Sequence, residues 1–177
     1  MARVALVAHC LLNQNAKVEG GALRPAMWEP VIELLRERGY AIRQMPCPEL
    51  AFGGARRFWG VREQFDTPVY RRHCRRLAAL VASLIEHHAG DEVVLIGVDS
   101  SPTMGIDFTP SAPHWAGKPD IGEDDSTLVR GDGIFLAELK AECEARGLAF
   151  PRATGIRHWC DGYDPAEERA RLEALLR

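Results

Sequence analysis

Two thiols carry the first chemical signal in this sequence. Cys10 closes the apolar run that begins at Arg3, and Cys47 opens a Cys-Pro-Glu turn after the alternating stretch from Tyr40 to Pro46. In an open α/β sheet the carboxyl ends of parallel strands share one edge, and ligands bind in the crevice outside it. Cysteines remote in sequence that each follow a strand are therefore expected to face one pocket. Thiolates gathered in this way suit a soft metal or an iron-sulfur cluster better than a disulfide framework.

The other three cysteines sort by their surroundings. Cys74 lies three residues before Leu77 and Cys143 four after Leu139, so each falls on the apolar stripe of an expected helix, where a free thiol behaves as a small hydrophobe. Cys160 follows the last expected strand in Gly-Ile-Arg-His-Trp-Cys and is placed at the same edge as Cys10 and Cys47, either as a ligand or as a half-buried loop thiol. Among the histidines, His9 precedes Cys10 and is expected either to sit satisfied in the core or to lower the thiol pKa. His114 and His158 fall in edge loops without a zinc-like partner spacing. Asn13, Gln14 and Asn15 bring amide groups to the edge, as turn formers or as partners for a base or carbonyl compound. Glu123, Asp124 and Asp125 read as a solvated acidic cluster or a hard-cation site.

The elements that must position these groups alternate β and α. A strand over residues 3 to 9 leads through a loop to a helix carrying Met27, Val31, Leu34 and Leu35, which Gly39 ends. Residues 40 to 46 form a second strand, followed by an irregular stretch from 47 to 65. Asp66 or Thr67 caps a long helix with Pro68 in its first turn and a buried stripe of Leu77, Leu80, Val81, Leu84, Ile85 and His88. Its opposite face carries Arg71, Arg72, Arg75 and Arg76. Residues 93 to 98, continuously apolar, read as a central strand buried on both faces. An irregular connection of some thirty residues from Asp99 to Arg130 follows, a length that compact domains keep mainly where it covers a site. A helix over 133 to 146, a strand over 148 to 154 and a helix capped by Asp164 and Pro165 complete the pattern.

Composition bounds the class. The chain has 177 residues, 46% hydrophobic and 27% charged, with a formal net charge of −3. These values describe a globular protein of one domain, residues 1 to 177, with no electrostatic reason to bind nucleic acid. No apolar run reaches bilayer length and no signal-peptide core precedes the first strand, so the expected address is the cytoplasm, without membrane contact. Neither a Gly-x-Gly-x-x-Gly fingerprint nor a phosphate-binding loop is present.

Four segments together carry a resemblance: His-Cys-Leu-Leu-Asn-Gln-Asn at 9 to 15, Cys-Pro-Glu-Leu at 47 to 50, Asp-Thr-Pro-Val-Tyr-Arg at 66 to 71 and Ser-Ser-Pro-Thr-Met-Gly at 100 to 105. In order, spacing and position after successive strands they resemble the thiouracil desulfidase-related family, a former domain-of-unknown-function family. The Gly-Ile-Phe-Leu-Ala-Glu-Leu-Lys segment at 133 to 140 is also similar to a helix start of that family. The resemblance implies a Rossmann-like three-layer α/β sandwich with a four-stranded, mainly parallel sheet. It also implies a four-iron four-sulfur cluster on three cysteines, and a small thiocarbonyl substrate such as a thiolated pyrimidine base. Cys10 and Cys47 match the first two ligands. Glu49 matches the residue that moves protons on the substrate or the attacking water, and Ser101 one that hydrogen-bonds substrate or intermediate. Asn13, Asn15 and Ser100 are the candidate substrate contacts.

At one position the chain departs from the family pattern. The family reads Ser-Pro-Ser-Cys-Gly or Ser-Pro-Thr-Cys-Gly where this chain has Met104 in place of the third cysteine. A thioether is neutral and a weak donor, unlike a thiolate. Three readings stay open: Cys160 or a histidine completes the site, the cluster is labile, or it is lost. The sequence supports a desulfidase acting on a small thiocarbonyl compound, or a cluster-free ligand-binding or regulatory protein that kept the pocket. A metal-free hydrolase using Glu49 is a third reading.

Overall fold

The computed structural model describes residues 1–115 and 124–177. In chain order the first elements are β1 (Arg3–Val7), α1 (His9–Leu12), α2 (Glu29–Glu37), β2 (Ala41–Gln44), α3 (Pro48–Gly53) and α4 (Arg62–Phe65). They are followed by α5 (Pro68–His87), β3 (Glu92–Val98), β4 (Phe108–Ser111), β5 (Thr127–Arg130), α6 (Ile134–Ala145), β6 (Arg152–Ile156) and α7 (Pro165–Leu175). Four strands form a parallel sheet in the order β2-β1-β3-β6, and β4 and β5 pair antiparallel in a separate ribbon. Among the described residues no helix is long and apolar enough to cross a membrane.

Helices flank the sheet in a three-layer sandwich. On one face α5 and α6 are tied by Glu138, a buried carboxylate that takes Arg71 at 2.8 Å and Arg75 at 3.3 Å. The arginine side of α5, opposite the stripe read from the sequence, is thus partly an interhelix contact. The other face carries α2 and α7, linked by Arg38–Glu173 and Arg169–Glu37. Several local signals act as expected. Thr67 caps α5, accepting the Tyr70 amide on its hydroxyl, Asp164 caps α7, and Gly39 takes a positive φ of 71° after α2.

Other expectations are corrected. Leu80 is 64% exposed, because the face that α5 buries carries Tyr70, Cys74, Ala78, Val81, Ala82 and Ile85. Met27 precedes α2 and is partly exposed. The last strand lies later than 148 to 154, since Val98 of β3 pairs with Ile156. The segment from 47 to 65 contains two short helices, and the long connection after β3 contains the β4–β5 ribbon. Cys74 and Cys143 are buried in the core, as their helical positions predict.

Register brings the sheet's carboxyl ends level. Val7 of β1 pairs with Gln44 on one side and Ile96 on the other, so the turns after β1, β2 and β3 leave the sheet together. The turn after β3 is fixed by Asp99, which is fully buried. Its Oδ1 accepts the amides of Ile106 and Asp107, each at 3.0 Å, and its Oδ2 accepts Arg157 Nε at 3.1 Å. Only glycine fits opposite: a Cβ on Gly155 of β6 would lie 2.1 Å from Asp99 Oδ1.

The start of α6 locks the same turn. The amides of Gly133, Ile134 and Phe135 donate to the carbonyls of Gly105, Pro102 and Thr103. Helix-start donors that would otherwise lack partners thus hold residues 102 to 105 in place. A Cβ at Gly133 would lie 2.3 Å from the Thr103 carbonyl carbon, so the approach needs glycine.

Asp99→Ala should destabilise the fold by about 2–4 kcal/mol, because two buried amides lose their acceptor and Arg157 loses a charged partner. Urea unfolding of both proteins measures this. A loss below about 0.5 kcal/mol, the range of an ordinary surface change, would show that the carboxylate does not hold the turn.

Candidate functional site

The turns at the carboxyl edge enclose a cavity of about 690 Å³. Cys10, Cys47, Glu49, Ser100, Ser101 and Met104 all line it, joined by Lys17, Arg57, Trp59 and Trp159. Cys10 enters from α1 and Cys47 from the cap of α3, each three residues beyond the paired Val7 and Gln44. Both thiols are half-buried, and they lie near enough for the charge of one to be felt by the other. The Cys47 sulfur accepts the Leu50 amide at 3.4 Å. Gln14, fully buried, donates to the Cys10 carbonyl at 2.6 Å and fixes the first turn.

Glu49 is the best anchored polar group. Its Oε1 accepts Thr103 Oγ1 at 2.7 Å and Ser101 Oγ at 3.3 Å. Arg57 Nε lies 3.6 Å from Oε2, with the rest of the guanidinium held by the Ala16 and Gly54 carbonyls. A carboxylate offers about four acceptor sites on two oxygens, so Oε2 keeps capacity for a donor in the cavity. Ser101 has less to spare, since its hydroxyl also accepts the amides of Met104 at 3.0 Å and Thr103 at 3.3 Å. Ser100 stands in the left-handed region at φ 70°, the one non-glycine residue there among the described residues. Such strain persists where surrounding structure enforces it and gathers at functional sites.

Thr103, Arg57 and Tyr70 were not singled out by sequence reasoning. Thr103 was visible within the 100 to 105 motif. Arg57 lay in the segment read as irregular, and Tyr70 in the 66 to 71 motif. Tyr70 is buried, and burial with the neighbouring Glu49 charge raises its pKa.

Asn13 and Asn15 do not line the cavity. Asn13 Oδ1 accepts the Asn15 amide and Asn15 Nδ2 donates to the Pro25 carbonyl, a local turn. Cys160 faces a neighbouring cavity of about 300 Å³ with Arg157 and Glu168. Burial and the Asp99 charge push its thiol up to about 11, partly offset by Arg157 and a hydrogen bond with Ser100. His158 packs on Trp28 with ring centres 3.8 Å apart, and burial lowers its pKa. Of the acidic trio, Glu123 lies outside the described residues, Asp124 accepts Ser126, and Asp125 accepts Trp115 and His114.

A cluster held by three thiolates asks for three cysteines on one wall. The cavity wall offers two thiols and the thioether of Met104, which is 4% exposed. Among the described residues no three Cys, His, Asp or Glu side chains are grouped to hold a metal. A three-thiolate cluster does not fit this set.

Burial, then the charge of Glu49, pushes the Cys47 thiol up to about 11. The thiolate is the nucleophile, so at pH 8 only about one Cys47 in a thousand is reactive. Alkylation of Cys47 by iodoacetamide, followed by peptide mass mapping, should be slow at pH 8 and rise about tenfold per pH unit up to pH 10. A rate at pH 8 matching that of an exposed thiol would contradict the burial.

No protein-family model matches the chain. A solved structure of a 4Fe-4S-dependent thiouracil desulfidase is similar over 98% of this chain and 99% of its own, with a TM-score of 0.52 and 17% identity. That likeness is one of fold. An uncharacterized protein of Methanocaldococcus jannaschii is 35% identical over 106 residues, covering 59% of this chain and 68% of the relative. By that identity and coverage, the chain belongs to the same family as the Methanocaldococcus jannaschii protein.

Proposed function

We propose that the cavity takes a small thiocarbonyl compound, such as a thiolated pyrimidine base, and that the protein acts on its sulfur as a desulfidase-related enzyme. The observation that carries this reading is the meeting of Cys10, Cys47 and Glu49 on one cavity at the carboxyl edge of the sheet. It is supported by a fold shared with a thiouracil desulfidase. A thiocarbonyl sulfur is soft and a poor hydrogen-bond acceptor, which suits the wall of Cys10, Cys47 and Met104. Ring N–H groups suit the free acceptor capacity of Glu49 Oε2, with Ser100 and Ser101 at the adjoining turn.

In this reading Glu49 holds or moves a proton on the bound ring, while Thr103 and Arg57 keep its carboxylate aimed. Both are positioning residues. Sulfur removal also needs an acceptor for the sulfur. The donors on this cavity fall one thiolate short of the three-cysteine cluster. The buried Met104 favours a second reading, a ligand-binding or regulatory protein that holds the thiocarbonyl compound intact.

The test is to purify the protein without oxygen, measure its iron and acid-labile sulfide, and then assay 2-thiouracil binding and sulfide release on the same sample. Iron with sulfide release supports the desulfidase. Colourless protein that binds without release supports the second reading, and no binding in either state rejects both. Glu49→Gln should weaken binding roughly ten- to a hundredfold, the worth of a hydrogen bond to a charged acceptor. Unchanged affinity would remove Glu49 from the site.

A further inference from the structure

We propose that Cys10, Cys47 and Met104 form a sulfur site for a single copper(I) ion, a metal whose needs this donor set meets where a three-thiolate cluster does not. The site is independent of the thiocarbonyl reading, because the ion is bound without substrate.

The argument begins with donor type. Thiolate and thioether sulfur together select soft metals, copper(I) among them, while imidazole and carboxylate sites suit harder ions. All three residues line one cavity, and the two thiols interact electrostatically. Both cysteines are half-buried, so an ion has access, unlike the buried Cys74 and Cys143.

Charge and coordination number then choose among soft metals. Each thiol that ligates gives up its proton to solvent, so two thiolates and a copper(I) ion leave one net negative charge, and the neutral thioether adds none. Arg57, 3.6 Å from Glu49, offsets the carboxylate that would otherwise oppose a second anion beside Cys47. Zinc(II) asks for four N, S or O ligands in tetrahedral array. Among the described residues no group of three Cys, His, Asp or Glu is available to begin one. Copper(I) accepts two or three sulfurs, so the residue that breaks the cluster pattern completes this one.

The test uses reduced protein whose five cysteines are first counted as free thiols. It is titrated without oxygen with copper(I) against bathocuproine disulfonate, a coloured copper(I) chelator. About one copper(I) per chain should be withheld from the chelator. Cys10→Ser and Cys47→Ser should each abolish retention, and Cys160→Ala should leave it intact. Met104→Leu keeps core volume, so its loss of roughly tenfold in affinity reads the sulfur and not the packing. Thermal unfolding of each metal-free variant confirms that it is folded, and Met104→Leu serves if a cysteine variant is not. The proposal is overturned if wild type withholds no copper(I), if folded Cys10→Ser or Cys47→Ser retains it, or if Met104→Leu binds as tightly as wild type. Zinc(II) held as tightly as copper(I) overturns it as well.

Discussion

The buried carboxylate of Asp99 is the constraint on which the site depends. It stands just past β3 and reaches in two directions, to the amides of Ile106 and Asp107 and to Arg157 beyond β6. Its own amide donates to Ile156 at 2.9 Å. A buried carboxylate is costly unless its acceptors are filled, and this one is filled only when the turn after β3 folds back over the sheet edge. The turn then presents Ser100, Ser101 and Met104 to the cavity, while the start of α6 binds its carbonyls from behind. One interaction at the centre of the sheet therefore sets the wall that faces the two thiols.

Local signals account for what was legible in the sequence. The caps at Thr67 and Asp164, the stop at Gly39 and the apolar run of β3 each announce themselves within a few residues, and the α/β sandwich follows from their order. The cysteine turns were legible for the same reason, as each directly follows a strand or its level in the register. Long-range pairing was not legible. The β4 and β5 segments are short and separated by a long connection, so neither shows the alternation that marks a strand. Glu138 meets Arg71 across more than sixty residues, which a helical stripe cannot reveal. The last strand was read too early because Leu148 and Phe150 are apolar, yet they pack on the core from outside the sheet.

The candidate site shows the same division. Motifs named Cys10, Cys47, Glu49 and Ser101, and the structure gathers them. The roles are finer than the motifs imply: Ser101 spends its hydroxyl largely on the turn, and Thr103 makes the shorter hydrogen bond to Glu49. Asn13 and Asn15 carry polar side chains at the right edge but use them locally, the alternative that turn chemistry offered from the start. Cys160 is an edge thiol lining the neighbouring cavity, where Glu168 accepts the Arg157 amide and ties the loop after β6 to α7. The resulting site brings Cys10, Cys47 and Met104 to one cavity, with the anchored carboxylate of Glu49 beside Cys47.

The proposed pairing of soft sulfur with a proton-handling carboxylate beside it is the central claim. A crystal structure of the protein soaked with 2-thiouracil tests it most directly. The account predicts the ring in the cavity with its sulfur toward Cys10, Cys47 and Met104 and a ring N–H within hydrogen-bond reach of Glu49. A ligand bound elsewhere, or Cys10 and Cys47 opening onto different surfaces, would contradict it.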